Sequence, residues 1–558
     1  MPDNPKSLSK TRNPFSIIAN LNHWHIIVLL VAFICAVPVL TVFSYIFQPA
    51  GEVWRHLTET VLSDYVINSL LLMIGVSFGT LSMGITTAWI TSVYKFPGRK
   101  IFQWLLLLPM ALPAYIIAYT YTGMMDFAGP IQSSLREWFG WSYGDYWFPE
   151  IRSIWGATSM LSLVLYPYVY LLARASFLEQ SIVALEAGRS LGAGPWKSFF
   201  KIALPMARPA IITGLSLVLM ETLADYGTVQ YFGISTFTTG IFRTWFGLND
   251  SAAAAQLSTM LLIFVLVLIT LERISRKQAR YFHASNREKK HTRLTLSPGK
   301  AWLATFACLM PILWGFILPF MQLMNWAIET YEDMVDSEFI TLTWHSLSLA
   351  ASAAIFALLL ALLLAYGQRL QNTRFIQIAV RIASMGYAIP ATVIAVGIMI
   401  PLAWIDNTFD GWLRQQFDVS SGLLLSGTLF ALMFAYMVRF LAVSVGTVEA
   451  ALGKIKHSMD DAARSLGLKP KQVLFQIHMP LMRRSLLTAI LLVFVDVLKE
   501  LPATLILRPF NFNTLAVRAY ELASDERLAD ASTAALSIVI AGIIPVILLS
   551  QSINKQKT

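Results

Sequence analysis

Apolar runs close to twenty residues long recur along this chain, and that is the length a helix needs to cross a hydrocarbon layer of roughly 30 Å. They lie near 26–48, 66–92, 101–123, 153–174, 208–232 and 253–272, then 301–323, 343–366, 376–402, 422–445, 483–507 and 531–550. The pattern predicts an all-α polytopic membrane protein of about twelve spans. Composition agrees: the 558 residues are 56% hydrophobic and only 13% charged, too little charge to cover a soluble protein of this length. The run at 26–48 is too long for a secretory signal and lacks the small-residue cleavage site, so it reads as a retained first helix.

The net charge of +10 invites an anionic or nucleic-acid partner, but its distribution argues against one. Basic residues cluster in the N-terminal tail (Lys6, Lys10, Arg12), around Lys95, Arg99 and Lys100, between Arg273 and Lys300, and at Lys555 and Lys557. Acidic residues such as Glu329, Glu332, Asp333, Asp336 and Glu338 gather in other loops. This asymmetry is the positive-inside pattern. It places both termini in the cytoplasm and divides the chain into a tail 1–25, a first half 26–272, a basic cytoplasmic linker 273–300, a second half 301–551 and a tail 552–558. Cys35 and Cys308 both lie in apolar runs and read as packing residues; neither they nor the eight histidines have ligand spacing, so no metal site is expected.

The halves repeat one another. Asn68-Ser69-Leu70 aligns with His345-Ser346-Leu347 and Pro113-Ala114 with Pro390-Ala391, both 277 positions apart. Arg189 aligns with Arg464 and Pro205 with Pro480, now 275 apart, so a net two-residue deletion keeps the register. An even number of spans per half makes both copies enter the membrane the same way, as two parallel six-helix repeats about an axis along the membrane normal.

Between the fourth and fifth spans of each half lies a polar segment written twice: EAGRSLGAGPWKSFFKIALP at 186–205 and DAARSLGLKPKQVLFQIHMP at 461–480. A polar helix at matching cytoplasmic places is a docking surface for a partner with two matching sockets. Ala187 and Gly188, like Ala462 and Ala463, let a partner backbone approach closely, while Gly192 and Gly467 suit a left-handed helix end. Arg189 and Arg464 can pair with a partner carboxylate, and Pro205 and Pro480 are expected to mark where the next span begins. Gly192-Ala193-Gly194-Pro195-Trp196-Lys197-Ser198 superficially resembles a phosphate loop but lacks the glycine before its lysine, and no nucleotide or catalytic motif is recognisable.

These segments resemble the EAA loops of binding-protein-dependent ABC importer permeases, of pattern EAA-x3-G-x9-I-x-LP. The resemblance runs through Glu186, Ala187, Gly188, Arg189, Ser190, Leu191, Gly192 and Pro205, and through Asp461, Ala462, Ala463, Arg464, Ser465, Leu466, Gly467 and Pro480. It departs at Gly188, at Asp461 and at Met479, keeping size, charge or apolarity. The resemblance implies two ATP-binding cassette subunits as partners, which use ATP and Mg, and no cofactor in this chain. It also implies a periplasmic substrate-binding protein and a place in the bacterial inner membrane.

The fifth and eleventh spans carry acids where charge is expensive. Glu221 and Asp225 are four apart, as are Asp496 and Glu500, and the pairs are 275 apart. Four-residue spacing puts each pair on one helical face. Together with Tyr226 they are a candidate translocation pathway, because intramembrane acids face a bundle interior or a water-filled path. Two other readings stay open: capping of broken helix ends near Gly227 and Pro502, and direct ligation of substrate. From about 60 to 550 the chain is similar to fused two-half permeases of ferric-iron importers, chiefly through residues 221–228, ETLADYGT, and 499–520, KELPATLILRPFNFNTLAVRAY. Thiamine or phosphonate import shares this architecture, and an ion-coupled secondary transporter is the rival from another class.

Overall fold

A computed structural model describes residues 23–49, 51–142, 144–179, 194–277, 294–371 and 373–555. The described chain is helical almost throughout. Ten helices are long and apolar enough to cross a bilayer, and a pair bent by 90°, Arg99–Ala111 with Ala114–Phe139, makes an eleventh. Their outward faces carry Leu30, Phe33, Ile74, Phe78, Trp302, Phe306 and Phe356, all exposed. Water would not tolerate so much apolar surface; lipid covers it.

Several of the expected spans are broken, and one of them, 483–507, leaves no helix apolar enough to be counted. The run 208–232 is helical as Leu204–Ala224, stops at Asp225-Tyr226, and resumes as the short helix Gly227–Tyr231. Its counterpart 483–507 becomes Met479–Leu498 and Pro502–Leu507, and the longer piece carries Arg483, Arg484 and Asp496, which make it less apolar than a full span. The run 376–402 divides into Arg374–Ala383, a tight turn at Gly386–Ala388, and Ala391–Phe417. Pro113 and Pro390 each precede the helix that follows, where a missing amide hydrogen costs nothing.

Pro205 and Pro480 do not open a new helix, contrary to the expectation above. Trp196–Ala224 is one continuous helix. Its five-residue π turn Phe199–Ala203 lies immediately before Leu204-Pro205. The second half repeats this with the π turn Leu474–His478 before Met479-Pro480, and Leu313–Ile317 precedes Leu318-Pro319. Proline lacks a donor and its ring crowds the carbonyl four residues back. The wider π turn takes up that strain without ending the helix.

The halves exchange their first helices. His23–Ser44 packs against Arg374–Ala383 and Ala391–Phe417 of the second half. Trp24 meets Tyr366 edge-on with ring centroids 5.7 Å apart. Reciprocally, Tyr121 of the first half donates to the Trp314 carbonyl at 2.5 Å, and Thr305 donates to the Pro97 carbonyl at 3.2 Å. A two-residue parallel ladder, Tyr94-Lys95 with Leu294-Thr295, ties the loop after the second span to the end of the basic linker, so these two basic regions share one side of the bundle.

Polar residues one position apart in the repeat do similar work. Asn68 donates to the Ser235 carbonyl at 2.9 Å, and the Ser346 hydroxyl accepts from the Leu515 amide at 2.8 Å. The first fixes the backbone just before the short helix Phe237–Phe242 and the second the first residue of Leu515–Ser524, helices capped by Thr236 and Thr514.

Gly397 is where the exchanged first helix comes closest, since a Cβ there would lie 2.2 Å from the Pro38 carbonyl oxygen. Gly397→Leu is expected to force the two helices apart at a cost of about 1–3 kcal/mol, read as a lower unfolding midpoint in detergent.

Candidate functional site

The second docking segment is built as a short helix, His457–Ser465, that ends on Gly467 at φ +83°. The Gly467 amide donates to the Arg464 carbonyl at 2.9 Å and the Leu468 amide to the Ala463 carbonyl at 3.1 Å, the hydrogen-bond pair of a Schellman end. Ala463 is buried beneath the helix. Asp461, Ala462, Arg464, Ser465, Leu466 and Gly467 are exposed, Leu466 to 83%, and Pro480 is exposed as well. An exposed leucine on a polar helix beside small residues is a surface made to be covered. Residues Glu186 to Gly192 of the first segment lie outside the described residues; Pro205 lies within the continuous helix that follows them.

The carboxylate that anchors this helix is Asp460, one position before the acid expected from the sequence. Arg369, in the last turn of Ser337–Leu370, donates to it through Nε at 2.8 Å and Nη2 at 3.2 Å. The same guanidinium donates to the carbonyls of Leu452 at 2.7 Å and Ile455 at 2.9 Å. His478 is fully buried and its Nε2 lies 2.8 Å from Asp460 Oδ1; a carboxylate only accepts, so Nε2 carries the proton. The Tyr366 hydroxyl donates to the Pro470 carbonyl at 2.6 Å, pinning the next short helix. Burial alone would raise the Asp460 carboxyl, but hydrogen bonds from Arg369 and His478 and the charge on Arg369 hold it below the usual carboxylate range.

The second cluster lies at the helix breaks. Asp225 Oδ1 accepts from the amides of Thr228 and Val229, both at 3.1 Å, and Oδ2 accepts from the Thr228 hydroxyl at 3.0 Å. Glu500, 275 positions on, accepts from the amides of Ala503 and Thr504 at 3.1 Å and from the Thr504 hydroxyl at 2.8 Å. Both acids therefore satisfy the first amides of a helix that restarts inside the membrane. Asp496 pairs with Lys499 at 2.9 Å. Glu221 makes no hydrogen bond or ion pair to a described residue.

All five candidate pathway residues, Glu221, Asp225, Tyr226, Asp496 and Glu500, line one cavity of ≈ 130 Å³ between the halves. The sequence reading missed further polar residues of its lining, among them Tyr115, Tyr168, Tyr387, Arg439 and Lys499. Lys499 stands three residues after Asp496, a helical pairing distance that could have revealed it. Tyr168 lines the cavity, whereas Tyr166 and Tyr170 on either side of it in the same helix are fully buried. Arg439 donates to the Ile389 carbonyl at 3.2 Å, while its Nε is buried without a partner among the described residues. Both basic residues come from the second half. Among the described residues no three His, Cys, Asp or Glu side chains converge as metal ligands.

Two predictions follow from these geometries. Asparagine caps as well as aspartate, so Asp225→Asn is expected to keep the helix break folded, while Asp225→Ala costs about 1 kcal/mol; thermal unfolding in detergent separates the two. Since Asp460 titrates lower in the anchored helix than when detached, the anchoring contribution is full above about pH 4. It is lost as pH falls through the depressed value, read by proteolysis or amide exchange across 457–467.

A profile of the family described as "Binding-protein-dependent transport system inner membrane component" matches the chain twice, over residues 80–280 and 357–557. The chain is 26% identical over 538 residues to the Fe(3+)-transport system permease protein FbpB 2 of Haemophilus influenzae, covering 94% of this chain and 97% of that protein. It is 24% identical over 517 residues to the ferric transport system permease protein FbpB of Actinobacillus pleuropneumoniae, covering 86% of this chain and 70% of that one. A molybdenum transport system permease protein, ModB of Escherichia coli K12, matches at 28% identity but spans 40% of this chain, along 96% of its own length.

Proposed function

Because the chain belongs to the family of binding-protein-dependent transport system inner membrane components, we propose that it is the membrane-spanning permease subunit of an ATP-driven importer of ferric iron. Two ATP-binding cassette subunits dock on 186–205 and 461–480 from the cytoplasm, where both termini also lie. A periplasmic binding protein delivers the metal to the opposite face, and the chain itself catalyses no reaction. The observation that carries this reading is the exposed helix 457–465 with its left-handed Gly467, at a position the sequence repeats in the first half. The ferric cargo is supported by similarity to ferric permeases along nearly the whole chain, whereas the molybdenum permease aligns with less than half of it.

The proposed mechanism follows from the charges. ATP binding brings the two docking segments together, and the halves rock about the cavity. Only a partner that binds the two conformations unequally can drive the cycle, which is why a nucleotide-dependent subunit is required. In the cavity, Asp225 and Glu500 are occupied in capping and Asp496 is balanced by Lys499. Glu221 is then the carboxylate left to favour a cation in transit. With no cluster of metal ligands among the described residues, the cavity acts as a conduit that holds its cargo weakly.

Vesicles containing the chain, its ATP-binding subunits and the ferric-loaded binding protein are expected to take up iron only with hydrolysable ATP. Uptake driven by an ion gradient without those subunits would mark a secondary transporter instead. Gly467→Asp places a side chain at φ +83°, a conformation that costs a non-glycine residue roughly 1–2 kcal/mol. That variant is expected to insert normally but to co-purify less ATP-binding subunit; undiminished co-purification and uptake would remove 461–467 from the docking surface.

A further inference from the structure

The second half holds its docking segment by chemistry that the first half does not repeat at the matching positions. In the second half Arg369, Asp460 and His478 form one buried ionic knot. Shifting by the repeat distances puts Ser92 in the place of Arg369, Leu185 in the place of Asp460 and Ala203 in the place of His478. All three members of the knot are replaced together by residues that cannot ionise. Tyr366 is matched by Trp89, which packs on Phe177 and Phe199 with ring centroids 5.2 and 5.0 Å away. The knot is thus written in one half alone, and where that half has Tyr366 the other has an indole packed among aromatic rings.

The knot also has a particular wiring. Arg369 joins three pieces of chain: the end of Leu429–Leu452 through the Leu452 carbonyl, the following turn through the Ile455 carbonyl, and the docking helix through Asp460. Asp460 passes the connection to His478, on the π turn that runs directly into Met479–Leu498. That helix carries Asp496 to the cavity, and Glu500 caps the restart just beyond it. A planar guanidinium held by four hydrogen bonds cannot slide or rotate without breaking several at once. Aromatic packing has no such directional restraint, and its side chains can shift against one another.

We propose that Arg369 is the positioning residue through which displacement of the docking helix His457–Ser465 reaches the membrane helices Ser337–Leu370 and Met479–Leu498, and that this ionic linkage operates in the second half alone. The inference rests on the reading of 457–467 as a docking segment for an ATP-hydrolysing subunit. Its consequence is an unequal stroke: the second half follows its docked subunit rigidly, and the first follows with slack.

The test uses the full chain in liposomes with its ATP-binding subunits and the loaded binding protein, and reads substrate imported per ATP hydrolysed. Arg369→Ala and Asp460→Asn are expected to lower that ratio about ten-fold or more, while the subunits still co-purify and hydrolysis continues. Arg369→Lys and Asp460→Glu keep the charge and are expected to fall between these and the unchanged chain. Ser92→Ala, at the matching place in the first half, is expected to leave the ratio unaltered. An unchanged ratio in Asp460→Asn, which is nearly isosteric and inserts even where Arg369→Ala does not, overturns the proposal. So does a parallel loss of co-purification and transport, which would make the knot a folding element. If the unchanged chain shows no ATP-dependent uptake, the docking reading itself fails, an outcome distinct from a shifted ratio.

Discussion

A helix cannot stop inside a bilayer unless something satisfies the amides it leaves exposed, because lipid has no hydrogen bonds to offer. That requirement organises the centre of this protein. Asp225 and Glu500 supply the acceptors at two equivalent breaks, and the breaks are what let the chain turn back beside the cavity. The carboxylates are therefore part of the scaffold before they are part of any pathway. Their charge is offset by the helix ends they cap, which makes two acids tolerable at this depth.

Around that centre the backbone is nearly symmetric and the chemistry is not. π turns, prolines, helix breaks and threonine caps recur at the repeat distances. The ionic knot at the docking helix occurs in the second half, and Arg439 and Lys499 at the cavity also come from it. Fusion into one chain permits this. Two identical subunits would place every basic residue twice around the axis; two halves of one chain need not. The exchanged first helices then keep the unlike halves together, each half closed by a helix belonging to the other.

Much of this was legible in the sequence because apolar run length and the repeat are robust signals. The double match of the family over 80–280 and 357–557 agrees with the repeat read from Ser69, Pro113 and their partners. An apolar run can conceal a break: nothing in TLADYGTVQ alone shows that the helix stops at Ala224. Asp225 and Glu500 were picked out as members of spaced acid pairs, but their capping of restarted helices could not be seen until the amides of Val229 and Thr504 had positions. Asp460 was passed over because its neighbour Asp461 fits the docking pattern, and because its partner Arg369 lies 91 residues away. The prolines misled for a local reason. A proline predicts a helix end, but one extra residue in the preceding turn lets the helix run on.

Those extra residues also act as an angular setting. An α-helix advances 100° per residue, so a turn containing one residue more than the α repeat rotates everything on its far side by a comparable angle. Phe199–Ala203 and Leu474–His478 each lie between the polar chain before them and the membrane helix that follows. Deleting a single residue from either turn would rotate the chain before it by a comparable angle while leaving the span itself intact. Because the two turns occupy matching places, one extra residue sets the same rotation in both halves, written in helix pitch rather than in any contact.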